Sequence, residues 1–185
     1  MAGIDVVCMG EALIDLFPAE IGRRMAEVPA FHPKPGGAPA NVAVAVSRLG
    51  AAAAFLGDVG DDPFGRFLID TLSGEGVDTQ GMRVDPSMRT TLAVIAMPDP
   101  HRAEFVFYRQ PGAAMARRPD EQDRALLRRT RAFHAGPISL IDEPGRSATL
   151  RAMAAARAAG ALVSFDVNYR PSVWPSPEEA LRVTA

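Results

Sequence analysis

The chain has 185 residues, 48% hydrophobic and 23% charged, which is enough apolar material for one globular domain with a real core. Twenty Lys and Arg against 22 Asp and Glu leave a formal charge of −2, with no basic stripe to neutralise a phosphate backbone, so nucleic acid is not an expected partner. One cysteine, Cys8, excludes an internal disulfide and a cysteine-built zinc site; no apolar run reaches the ~18 residues of a membrane span, and no basic segment leads an apolar one at the N-terminus. A membrane or secreted protein is not expected, and a cytoplasmic one is.

Ile4 to Met9 is a short apolar run that predicts a strand buried on both faces. It breaks at Gly10-Glu11, and Ala12 to Phe17 predicts a second short strand. The proline-rich stretch 18–35 reads as loop or edge strand. From Ala38 to Leu49 the period becomes helical, with Val42, Val46 and Leu49 on one expected core face and Gly50 ending the helix. Ala51 to Leu56 predicts a strand stopping at Gly57-Asp58. Asp62 and Pro63 open another helix as N-cap and first-turn residue, with an apolar stripe of Phe64, Phe67, Leu68, Thr71 and Leu72.

Thr90 to Met97 and Ala103 to Arg109 read as the two strands of a hairpin turning at Pro98–His101. A helix around 119–129, a strand from Arg131 to His134, a helix from Ser147 to Ala159 and a strand from Ala161 to Val167 follow. Ser176, Pro177 and Glu179 are placed as the N-cap, first-turn and capping-box residues of a last helix. Strands alternating with helices predict an α/β fold with a parallel sheet covered on both faces, and a smaller β element near 12–35 and 90–109.

In open parallel sheets ligands bind beyond the carboxyl ends of the strands. Three such ends carry polar groups: Gly10 to Asp15, Gly57 to Asp62, and Asp166 to Arg170. Gly36-Gly37 before a helix lets backbone approach a ligand, and Asn41 adds an amide that donates and accepts, which suits a hydroxyl-rich substrate. There is no Walker A sequence, no Gly-x-Gly-x-x-Gly after a strand and no Gly-x-Ser-x-Gly elbow. His32, His101 and His134 lack ligand spacing, and His134 reads as a hydrogen-bonded core or rim residue. Asp58, Asp61 and Asp62 are explained by turn and cap chemistry, and no metal site is expected among them.

Gly36-Gly37-Ala38-Pro39-Ala40-Asn41-Val42-Ala43, with Gly50 and Gly60 at their spacing, resembles the first signature of the PfkB (ribokinase-like) carbohydrate kinases. Gly10 to Asp15, Gly60 to Gly65, Phe107-Tyr108-Arg109 and Asp166 to Pro171 resemble the fructokinase branch. The likeness spans 1–185 as an incomplete kinase domain. It implies a ribokinase-like α/β/α sandwich with a Rossmann-like sheet, and a β lid from about 12–35 and 88–112.

It also implies ATP-dependent phosphorylation of a sugar hydroxymethyl group, fructose to fructose 6-phosphate, with ATP and Mg²⁺ used by the complete enzyme. Asp15 would accept from sugar hydroxyls, and Gly36, Gly37 and Asn41 would hold the sugar. Arg109 and Arg170 would reach its far end or support Asp15 and Asp166. Asp166 and Asn168 would lie near the transferred phosphate. Phe105, Phe107 and Tyr108 are expected to pack the hairpin rather than touch sugar.

The family's Gly-Ala-Gly-Asp and Asn-x-x-Glu motifs do not occur in this chain. The catalytic base and the anion hole that the resemblance implies are therefore not expected in it, and a truncated, poorly soluble polypeptide without kinase activity is. A 2-keto-3-deoxygluconate kinase shares the branch's motifs, and two arginines would clamp its substrate's carboxylate. A non-catalytic sugar-binding or dimerisation module is the alternative of another class, with family lids often pairing in a homodimer.

Overall fold

The computed structural model describes residues 3–109, 121–169, 174 and 176–184. The apolar run after the N-terminus is β1 (Ile4–Met9), the centre of a parallel sheet. On one side it pairs with β4 (Ala53–Gly60), which pairs in turn with β5 (Met82–Asp85). On the other it pairs with β8 (Thr130–Ala135), followed by β9 (Leu162–Phe165). The five-stranded order is β5–β4–β1–β8–β9, with Cys8 opposite both Phe55 and His134.

The two faces of this sheet are covered by different helices, which is why its central strands are apolar throughout. α1 (Ala38–Arg48) and α2 (Pro63–Gly74) pack Ala40, Ala43, Leu68 and Leu72 against Cys8 and Phe55. α3 (Glu121–Leu127) and α4 (Gly145–Ala158) pack Leu127, Ala148 and Ala152 against Val7 and Phe133. The result is the expected α/β/α sandwich.

Four strands form a second sheet in the order β3–β2–β6–β7. β2 (Leu13–Pro18) is antiparallel to β3 (Phe31–Gly36) and parallel to β6 (Leu92–Asp99). β6 and β7 (Arg102–Tyr108) are the expected hairpin. β3 is an edge strand, which tolerates Pro33 and Pro35 because no ladder N–H is missed on its open side. α5 (Pro177–Thr184) starts as read from its sequence, with the Glu179 N–H donating to Ser176 Oγ at 3.1 Å. No helix among the described residues is long and apolar enough to cross a membrane.

Two expectations are corrected and one strand is added. β4 continues past Gly57 to Gly60 and is buried along all eight residues. Gly57 permits this because a Cβ there would press on the Phe55 ring and the Gly10 carbonyl. β5 went unread, since four residues of mixed polarity carry no period. The buried stripe of α1 is Pro39, Ala40 and Ala43, while Leu49 stands 87% exposed beyond the helix end. Val42 and Val46 pack half-buried against the same core cluster, as expected, and only Leu49 leaves that face.

Candidate functional site

The chain leaves β1 for β4 and β5 on one side, then returns to β8 and β9 on the other. The connections leaving the carboxyl ends of β1 and β8 therefore diverge, and that switch point is where open α/β sheets bind ligands. A cavity of about 400 Å³ lies there, between these strand ends, the start of α1 and the inner face of the small sheet. Asp15, Gly37, Asn41 and Asn168, four of the residues picked from the sequence, line it together.

Each is delivered by local backbone chemistry. Strand alternation turns Leu13, Asp15 and Phe17 to the cavity and sends Ile14 and Leu16 into the core beneath α2. Gly37, at φ 107°, is the N-cap of α1, and a Cβ there would press on the Glu11 carbonyl. Gly36 does not line the cavity itself. It clears space for Asp15, whose carboxyl a Cβ at position 36 would strike. Burial raises the Asp15 carboxyl above its ordinary range.

Asn168 takes a positive φ of 30° and donates its N–H to Asp166 Oδ1 at 2.9 Å. Asp166 stands exposed beside the cavity, its own N–H donating to the Ala135 carbonyl at 3.1 Å. Arg109 is set apart from the lining, with Nη1 3.5 Å from Asp142 Oδ2. Arg170 lies outside the described residues. His134 is buried and its Nδ1 meets Ser164 Oγ at 3.1 Å, as a hydrogen-bonded core residue should. Burial lowers its pKa, while the Asp166 charge works the other way.

Asp62 caps α2, accepting from the Gly65 N–H at 2.8 Å, and also binds the Thr90 N–H and hydroxyl at 2.9 and 2.8 Å. Asp61 pairs with Arg66 at 2.9 Å. Among the described residues, no group of three or more His, Cys, Asp or Glu is placed to hold a metal ion.

Glu11 is the site residue that the sequence did not single out. It follows β1 directly, is 1% exposed, and lines the cavity. Its Oε1 accepts from the Ala38 N–H at 3.1 Å, while Oε2 has no partner. Burial pushes its carboxyl up to about 7, over the opposing pull of its own and Ala38's N–H, and the Asp166 charge adds to the rise. An acid after a strand and a glycine reads as an exposed turn, and only the closure of α1 over it makes it buried. Trp174, which also lines the cavity, had no local signal either. Phe105 and Phe107 do more than pack the hairpin: they stack at 6.2 Å and 9°, and both line the cavity.

This lining offers carboxyls, amides and aromatic rings, and among the described residues no Lys or Arg. Such a donor set fits a neutral polyhydroxylated ligand and does not fit a nucleoside triphosphate, so no step through ATP is derived from it.

The description "pfkB family carbohydrate kinase" matches residues 4–184. The chain belongs to the pfkB family of carbohydrate kinases. It is 52% identical over 175 residues to probable fructokinase-3 of Arabidopsis thaliana, covering 95% of this chain and 51% of that protein. Identity to fructokinase-1 of Zea mays is 53% over 175 residues, covering 95% and 54%. The chain thus spans about half the length of the curated relatives it matches.

Among solved structures, the fructokinase of Xylella fastidiosa with bound ATP superposes at a TM-score of 0.84 and 39% identity, over 97% of this chain and 54% of that one. The fructokinase of Vibrio cholerae O395 with fructose, ADP and calcium superposes at 0.79 and 35%, over 97% and 56%. The pfkB kinase family thus includes ATP-binding and fructose-binding members.

Proposed function

We propose that this chain supplies the sugar-binding half of a fructokinase-type enzyme, one that phosphorylates fructose to fructose 6-phosphate with ATP and Mg²⁺. The observation that carries this reading is the convergence of Asp15, Gly37, Asn41 and Asn168 on one cavity at the sheet's switch point. In it, Asp15 accepts from sugar hydroxyls, the Asn41 and Asn168 amides donate and accept, and Gly37 lets the sugar approach backbone closely. Gly36 and Asp166 act behind them, the first by freeing Asp15 and the second by fixing Asn168. Arg109 and Arg170 reach the far end of the sugar or support Asp15 and Asp166.

Fructose is preferred over 2-keto-3-deoxygluconate because the described lining pairs carboxyls with neutral groups. An acid sugar would meet like charge there. The small sheet, within about 12–35 and 88–112, serves as the lid over the sugar. Its exposed apolar side chains, Val106 and Tyr108 among them, support pairing between two copies in a homodimer. A reducing cytoplasm suits the lone, buried Cys8. Calorimetric titration of the chain with fructose and with 2-keto-3-deoxygluconate tests the reading. Heat with fructose alone is expected, and a preference for the keto-acid would overturn the choice of substrate. Silence with every sugar would leave a module without a sugar site.

A further inference from the structure

Three carboxyls gather around the cavity, and they are not alike. Asp15 is half-buried on β2, Asp166 is exposed at the end of β9, and Glu11 is closed in at the end of β1. Glu11 is held there by its surroundings. Pro39 sits over Gly10, and Gly136, at the end of β8, lies beside both Pro39 and Glu11 Oε2. One oxygen is engaged by the Ala38 N–H, and the other is buried and unpartnered, on a residue that lines the cavity. A buried oxygen without a partner is destabilising, because it has given up water and gained no hydrogen bond. A ligand in the cavity is the natural group to satisfy it.

We propose that Glu11 contacts the bound sugar as a neutral carboxylic acid, its carbonyl oxygen accepting from the Ala38 N–H and its hydroxyl donating to a sugar oxygen. This rests on the sugar-site reading above. It deepens that reading by giving the site a proton donor whose presence depends on pH. Asp15 as a carboxylate can only accept, whereas sugar hydroxyls and ring oxygens also need donors. Of the groups around Glu11, Asp166 just after β9 carries a like charge that favours its neutral form, burial disfavours the charged form of His134 on β8, and Asp15 on β2 lines the same cavity. The N–H of Glu11 itself and that of Ala38, at the start of α1, pull the other way.

With a carboxyl that titrates near 7, the neutral fraction falls roughly tenfold between pH 6 and pH 8. Fructose titrations of the purified 185-residue chain at these two pH values are the test. The wild type should bind roughly tenfold more weakly at pH 8, and Glu11→Gln, whose amide donates at every pH, should hold the two affinities within about twofold of each other. Asp166→Asn should move the midpoint of the wild-type fall to lower pH, and this carries the test if the Gln variant does not fold.

A wild-type affinity that ignores pH overturns the role of Glu11 and leaves the sugar site standing. So does a tenfold fall that survives Glu11→Gln, or a midpoint that Asp166→Asn leaves in place. Absence of fructose binding at either pH overturns the sugar site and the role of Glu11 with it.

Discussion

The two sheets meet at one cavity and bring opposite chemistry to it. The parallel sheet is buried on both faces, and it contributes strand ends: Glu11 after β1 and Pro137-Ile138 after β8. Its precision comes from packing, since a strand between two helix layers has no freedom to shift. The small sheet is buried along its two central strands, β2 and β6, while its outer strands β3 and β7 stay largely open. β6 keeps Ala93, Ile95 and Ala96 inside, whereas β7 leaves Phe105, Val106 and Tyr108 more than 40% exposed. It contributes an apolar wall and one carboxylate, Asp15. The lesson is a division of labour, with polar groups fixed by the core and apolar cover carried on a sheet with little to hold it.

The sharpest way to break that comparison is to remove one phenylalanine from each sheet. Phe55 on β4 has no exposed surface and packs in the core beneath α1 and α2. Phe55→Ala should cost about 3–5 kcal/mol in urea unfolding, through lost burial plus the cavity left behind. A loss below ~1 kcal/mol would mean that the parallel sheet is no better held than the small one.

The next effect sets the floor's chemistry against the rest of the molecule's. The Glu11 carboxyl lies near 7 when folded against an ordinary 4.5. Because the folded state keeps this proton longer, the associated stability is fully present below pH 4.5 and is lost as pH rises through about 7. That is roughly 3 kcal/mol between the two limits. His134, whose pKa burial lowers, works in the opposite direction, adding stability as pH rises through its ordinary 6.5. The contribution of Glu11 is therefore read as a difference: unfolding at pH 5 and pH 8 should show a steeper decline in wild type than in Glu11→Gln. Parallel slopes would show that Glu11 does not titrate in this range.

Asp62 joins the two sheets, capping α2 while holding the backbone N–H of Thr90 just ahead of β6. Partial burial raises its carboxyl, but the bonds from Thr90 and Gly65 outweigh this and hold it below its ordinary value. Its stability is thus present above pH 3.8 and lost as acid protonates it at lower pH. Asp62→Ala should cost about 1–2 kcal/mol at neutral pH, in the range of an N-cap. A variant unchanged in chemical denaturation would show the cap and the Thr90 tether to be redundant.

The sequence was most legible where one local rule sufficed. Apolar β1, the Asp62-Pro63 start of α2 and the hairpin of β6 and β7 follow from composition, cap chemistry and turn residues within a few positions. Asp15, Gly37, Asn41 and Asn168 were legible as a group that lines one cavity, through polar groups placed at strand ends and a helix start. What escaped depends on residues distant in sequence. The close approach of Phe55 and Gly10 leaves no room for a Cβ at Gly57 within β4, and Leu49 is exposed because α1 ends before it. Glu11 became buried through Ala38, 27 residues away, which no window on the strand contains.

Phe105 gives the smallest effect on stability and the finest probe of the small sheet. It is 43% exposed on β7, opposite Ile95, and stacks on Phe107 at 6.2 Å. Half its ring already meets water, so truncation leaves no enclosed void, and the stacking lost is about 0.5–1.5 kcal/mol. Phe105→Ala should therefore lower unfolding stability by about 1 kcal/mol or less. Its larger consequence should lie in ligand binding, because the ring walls the cavity opposite the polar groups and shields their hydrogen bonds from water. Fructose affinity should fall roughly five- to tenfold, equivalent to about 1 kcal/mol of binding. Calorimetry and urea unfolding on the same sample separate the two effects. A variant that loses stability as Phe55→Ala does, yet binds fructose unchanged, would make Phe105 a core residue and erase the distinction between the sheets.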